Sequence, residues 1–94
     1  SPTPAQRGEI FRRLLSHTGI TEQVITQLVA LTDARQLPGF GATKHRFTFS
    51  DIAQRIVPRA VETAIFQATP LTPDVLIQSC KVVLPTPEMV SQNT

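Results

Sequence analysis

Short helices with explicit starts are written into this chain, and that punctuation constrains its fold more than any other feature. Thr3-Pro4 and Thr72-Pro73-Asp74 each pair a hydroxyl that can accept from orphan helix amides with a proline whose φ is already set for the first helical position. Thr48-Phe49-Ser50-Asp51 is another start, in which Thr48 caps the first turn and Asp51 favours the positive helix end. Apolar residues follow each start at helical spacing. Ile10, Phe11, Leu14 and Leu15 make one stripe of a helix from about Pro4 to His17, with Arg7, Glu9, Arg12 and Arg13 on other faces and Thr18-Gly19 ending it. Val24, Ile25, Leu28, Val29 and Leu31 repeat the pattern in a second helix, from Thr21 to near Arg35.

Between Gln36 and Arg46 the breakers Pro38, Gly39 and Gly41 stand among charges without periodicity, which predicts a surface loop. In the third helix Ile52, Ile56, Ala60, Ala64 and Ile65 line one face. Pro58 cannot donate to the carbonyl of Gln54, so a kink or a division is expected there. The fourth helix carries Val75, Leu76, Cys80 and Val83 inward and stops at Pro85 and Pro87. Val82-Val83-Leu84 could form a strand, but no second convincing strand accompanies it. Pro85 to Thr94 has no pattern. The reading is all-α: a four-helix domain over residues 1–87 with its third helix kinked at Pro58, then a flexible tail over 88–94. Ile10, Leu14, Leu28, Leu31, Ile52, Ile56 and Leu76 are its expected core.

Ninety-four residues provide for one core. No apolar run approaches the roughly 20 residues of a membrane span. Cys80 is the single cysteine, so no internal disulfide can form, and His17 and His45 are too few to complete a structural zinc site. An intracellular, cytoplasmic setting fits this cysteine usage. A net charge of +2 gives little drive toward phosphates. The segment Gly39 to Lys44 lacks the Gly-Lys-Ser/Thr order of a phosphate loop and reads as a plain loop. Ser50, Asp51 and His45 are better explained by capping than by a catalytic triad, and Cys80 by burial than by thiol chemistry. No catalytic and no metal-binding set emerges.

Taken in order, the motifs resemble the small helical lid that follows the nucleotide-binding core of AAA+ ATPases. Arg7-Gly8-Glu9-Ile10-Phe11 is similar to the Arg-x-Glu-Ile-(Leu/Phe) of the first lid helix, and Leu28-Val29-Ala30-Leu31-Thr32 to the end of the second. Phe47-Thr48-Phe49-Ser50-Asp51-Ile52 stands where the family has its glycine-containing turn, with Phe49 in place of the glycine that approaches adenine and an extra loop, Gly39 to Arg46, before it. Leu71-Thr72-Pro73-Asp74-Val75 is similar to the start of the last helix, and Pro85-Thr86 to the closing Pro-(Ser/Thr). The resemblance spans Pro4 to Pro87.

It implies a lid over ATP, the nucleotide and its Mg2+ being held by a preceding nucleotide-binding subdomain of the same chain, and contacts with neighbouring subunits of a ring. Lacking Walker A and B motifs, these residues alone would not hydrolyse ATP; they would be a fragment of a larger enzyme. By the same resemblance Ile10, Leu14, Phe49 and Ser50 would lie near the nucleotide, and Arg55 or Arg59 could act as a second-sensor arginine. Ordinary core packing explains Ile10 and Leu14 equally well. The alternative is a free-standing helical protein- or nucleic-acid-binding module, in which Arg55 and Arg59 on one helix face join the loop around Lys44 in contacting phosphates.

Overall fold

The computed structural model describes residues 1–87, and the tail expected over 88–94 lies outside the described residues. Four α-helices are present: α1 (Pro4–Leu14), α2 (Glu22–Leu31), α3 (Val57–Phe66) and α4 (Pro73–Val82). A π-helical segment, Asp51–Ile56, runs directly into α3. The helices form a closed cycle. α1 packs on α2, α2 on α4 and α4 on α3, while the π-helical segment returns to touch α1.

Threonine opens each helical stretch. The hydroxyls of Thr3, Thr21, Thr48 and Thr72 accept from the amides of Gln6 (3.1 Å), Val24 (3.4 Å), Asp51 (3.0 Å) and Val75 (3.3 Å). At two of these starts the favour is returned: Gln6 Oε1 accepts from Thr3 N at 2.9 Å, and Asp51 Oδ2 from Thr48 N at 2.9 Å. Each such cap contributes about 1 kcal/mol.

The core joins Phe11 and Leu15 of α1, Ile25 and Leu28 of α2, Phe47, Ile52 and Ile56, Ala60 of α3, and Leu76 and Cys80 of α4. Complete burial of one large apolar side chain is worth about 1.5–3 kcal/mol, so this cluster rather than helix propensity holds the helices together. Four of the seven expected core residues, Leu28, Ile52, Ile56 and Leu76, are fully buried. Ile10 and Leu31 are half-buried, and Leu14 is exposed.

The phase of α1 accounts for that correction. Its inner face runs through Arg7, Gly8, Phe11 and Leu15, which leaves Ile10 and Leu14 on its flank. Arg7, expected on another face, is buried: Nε donates to Thr32 Oγ1 (3.2 Å), Nη2 to the Val29 carbonyl (3.1 Å) and Nη1 to the Pro2 carbonyl (3.2 Å). A guanidinium whose donors are met by the end of α2 can be taken out of water. α1 stops at Leu14 rather than His17, and Gly19, at φ +75°, makes the turn toward α2.

Two further differences concern connections. The expected loop contains a two-residue antiparallel ribbon, β1 (Arg35–Gln36) with β2 (Lys44–His45), paired Arg35 to His45 and Gln36 to Lys44. Gly39 and Gly41, at φ +83° and +67°, supply the left-handed turns of its tip. Pro85 and Thr86, given no structure from the sequence, are docked: Pro85 is fully buried and Thr86 bonds to Asp51. At Pro58, where a kink is expected, the helical stretch is continuous and changes register just before the proline, where Val57 N donates to the Ile52 carbonyl five residues back. Ile65, expected on the inner face of the third helix, is 73% exposed.

Candidate functional site

On α1 the residues Gln6, Glu9, Ile10, Arg13 and Leu14 recur at three- and four-residue spacing beside the buried face, and they form one wall of a groove of about 670 Å³. Thr48 and Phe49, at the start of the third helical stretch, form the opposite wall, and Ser1 and Pro2 close one end. Ile10, Leu14 and Phe49 make its surface mostly apolar; Phe49 is 59% exposed, an unusual position for a phenylalanine. The polar rim is tied down. Glu9 accepts from Arg13 Nε at 3.2 Å and from Arg12 Nη1 at 3.1 Å, and Arg12 also bridges to Glu22 on α2 at 2.8 Å. The bonds from Arg13 and then Arg12 hold the Glu9 carboxyl below its ordinary pKa.

Three of the residues proposed to lie together from the sequence, Ile10, Leu14 and Phe49, thus line one groove. Ser50 is exposed next to Phe49 but does not line it. Gln6, Glu9, Arg13 and Thr48 were missed, although the α1 stripe flanking Phe11 and Leu15 carries the signal for the first three.

Neither candidate arginine lines the groove, and the two line different depressions. Arg55 Nη1 donates to Asp51 Oδ1 (3.2 Å), the Leu84 carbonyl (2.7 Å) and Thr86 Oγ1 (3.4 Å), which ties it to the segment after α4. Arg59 is exposed on α3 and lines a shallow depression with Glu62, Thr63, Phe66 and Gln67. Of the cations in and near the loop around Lys44 and on the third helical stretch, Lys44, Arg46 and Arg59 are exposed, His45 is buried, edge-on to the Phe40 ring at 5.1 Å, and Arg55 is paired with a carboxylate.

Asp51 is the most heavily engaged charged group. Only 1% exposed, it accepts from Thr48 N and Thr86 N through Oδ2 and from Thr86 Oγ1 (2.6 Å) and Arg55 through Oδ1. Burial pushes its pKa up, but the hydrogen bonds from Thr86, Thr48 and Arg55 outweigh burial and hold the carboxyl below its ordinary value. Cys80 shows the opposite outcome: burial, opposed only weakly by the charge of Arg35, pushes its thiol up to about 12. A thiol so placed is packing, not a nucleophile. Among the described residues no group of three His, Cys, Asp or Glu could hold a metal ion, and no helix is long and apolar enough to cross a membrane.

No protein-family model and no curated protein matches the sequence. Solved structures do, and the likeness is to one part of AAA+ ATPase chains. Two of the matching chains are Trip13. The chain in the E. coli MS115-1 HORMA:CdnC:Trip13 complex is 27% identical with a TM-score of 0.78, over 95% of this chain and 28% of that one. Rhizobiales Trip13 is 32% identical with a TM-score of 0.73, over 93% of this chain and 30% of that one. The sequence therefore spans under a third of the length of either.

Proposed function

We propose that this domain is the helical lid of an AAA+ ATPase, covering ATP held by a separate nucleotide-binding subdomain and moving as hydrolysis proceeds. The observation that carries the reading is the convergence of Ile10, Leu14 and Phe49 on one apolar groove, in a four-helix fold similar to part of Trip13. An apolar groove with an exposed aromatic ring suits the flat, weakly polar face of adenine, whereas a phosphate tail needs cations that are not already committed. Arg13 on the rim is engaged with Glu9, so the lid's share of the ligand is the base and ribose. The triphosphate and Mg2+ fall to the other subdomain, since the described residues offer no carboxylate cluster for the ion.

A second exposed surface fits the ring contacts that the reading requires. Ile65 and Phe66, at the end of α3, are 73% and 92% exposed and lie outside the groove. Such side chains are commonly covered by a partner, here a neighbouring subunit. Because the E. coli neighbour was solved with HORMA and CdnC, a HORMA-type protein is the first candidate for what the whole ATPase acts on. Nothing in the cation arrangement favours the nucleic-acid alternative. We place the ATPase in the cytoplasm.

The test is steady-state ATP hydrolysis by the full ATPase carrying this domain, with Leu14→Asp and Phe49→Ala. Loss of one apolar contact to the base raises the KM for ATP about tenfold per substitution. A KM and kcat both unchanged in the two variants would remove the lid-over-nucleotide reading. Phe66→Ser is expected to weaken assembly instead, read as a shift to smaller species in analytical ultracentrifugation.

A further inference from the structure

The segment Val83 to Pro87 runs back from α4 across the start of the third helical stretch, and its contacts are concentrated on two side chains. Thr86 donates twice to Asp51, from its amide to Oδ2 at 3.1 Å and from its hydroxyl to Oδ1 at 2.6 Å. Arg55 fastens the same strap through the Leu84 carbonyl and the Thr86 hydroxyl. Asp51 and Arg55 are the first and fifth residues of the π-helical segment, and Phe49, on the groove wall, lies two residues before it.

A π-helical turn is an α-helical turn holding one extra residue. The segment is fixed at its far end, where Ser79 Oγ donates to the Ile56 carbonyl at 2.6 Å and Pro58 follows. If the register relaxed to α while that end stayed fixed, everything before it would rotate by one residue, about 100° around the helix axis. Phe49 would leave the groove wall. Asp51 would swing away from Thr86, and that is the same motion a buried carboxylate needs once the strap no longer supplies its donors, since an under-bonded charge cannot stay out of water.

We propose that Thr86, Asp51 and Arg55 form a latch that couples the C-terminal strap to the shape of the groove. With the strap docked, the segment is π-helical and Phe49 closes the groove. With it displaced, the segment takes α register and the Phe49 wall opens. Anything that pulls on or binds the chain after Thr86 then regulates the groove from outside it. This inference uses the groove whose role as a nucleotide cover is proposed above, but the coupling itself requires no nucleotide.

Methyl NMR of the full 94-residue chain without nucleotide tests it. Thr86→Val removes the hydroxyl donor; it is expected to shift the Ile10 and Leu14 methyl resonances and the carbonyl carbons of 51–57 together, and Thr86→Ser is expected to restore them. Changes confined to Arg55, Leu84 and Pro85 would overturn the proposal. Should Thr86→Val fail to fold, relaxation dispersion on the unsubstituted chain decides the matter. Coupled opening gives the Thr86 amide nitrogen and the carbonyl carbons of 51–57 one common exchange rate, because the register change swaps the bonded carbonyls as Thr86 leaves Asp51; exchange at Thr86 with no counterpart at those carbonyls refutes the coupling. Neither result depends on ATP, so the latch and the lid reading can fail separately.

Discussion

At the scale of single residues, Arg7 shows how a charge becomes structural. Its guanidinium donates to the Thr32 hydroxyl and, beside the amide and hydroxyl of Thr32, to the Val29 carbonyl at the end of α2, so removing it takes charge-assisted bonds from buried oxygens and leaves its place in the packing empty. Arg7→Ala should therefore lower stability by about 2–3 kcal/mol, read as a fall in the urea midpoint, whereas Arg13→Ala on the exposed flank should change it little. Cys80 yields a second expectation. With its thiol near 12 and no exposure, it should resist an alkylating reagent in the native protein and react once the protein is unfolded; rapid native alkylation would contradict the packing described. Neither role has a local sequence signature. Arginine is read as a surface residue because burial needs all its partners at once, and those of Arg7 lie up to 25 residues away.

At the scale of elements, the helix starts were legible because each is a local bargain between a hydroxyl and an amide three residues on. Helix ends were less so. α3 ends in a left-handed residue that is not glycine: Ala68, at φ +55°, with its amide donating to the Ile65 carbonyl and that of Thr69 to the Ala64 carbonyl. Glycine is the residue this stop ordinarily calls for, and Ala68 is exposed, so Ala68→Gly should raise stability by about 1 kcal/mol, measured as an increase in Tm. The π-helical register was also hidden, because its supports are Thr86 and Ser79, far along the chain; Pro58 marked only the neighbourhood. The third start carries a pH dependence that the others lack. Asp51 has a folded pKa below its ordinary 3.8, so its contribution is complete above that value and is lost as the pH falls through the lower folded one. The stability gap between the natural chain and Asp51→Asn should thus be widest near neutrality and close in acid. A gap independent of pH would mean that Asp51 is not charged in the fold.

At the scale of the whole molecule, the apolar spacing gave the four helices and most of the core, while the groove became visible only once the phase of α1 was known. The sequence stripe of α1 holds Ile10 and Leu14 as well as Phe11 and Leu15, and periodicity alone cannot say which edge of a wide stripe faces in. Closing the cycle of helices settles it, since α1 must present Phe11 to both α2 and the π-helical segment.

The strap has a consequence for how the molecule comes apart in time. Most of the packing joins elements that are neighbours along the chain, α1 with α2, the π-helical segment with α3, and α3 with α4, the kind of topology that assembles quickly. The bonds from Thr86 to Asp51 close a loop of 35 residues and add only the last side of an otherwise complete bundle. They belong to the end of the folding reaction. Weakening them with Thr86→Val should leave the refolding rate nearly unchanged and make the native protein shorter-lived, the unfolding limb of a stopped-flow chevron rising while the refolding limb stays in place.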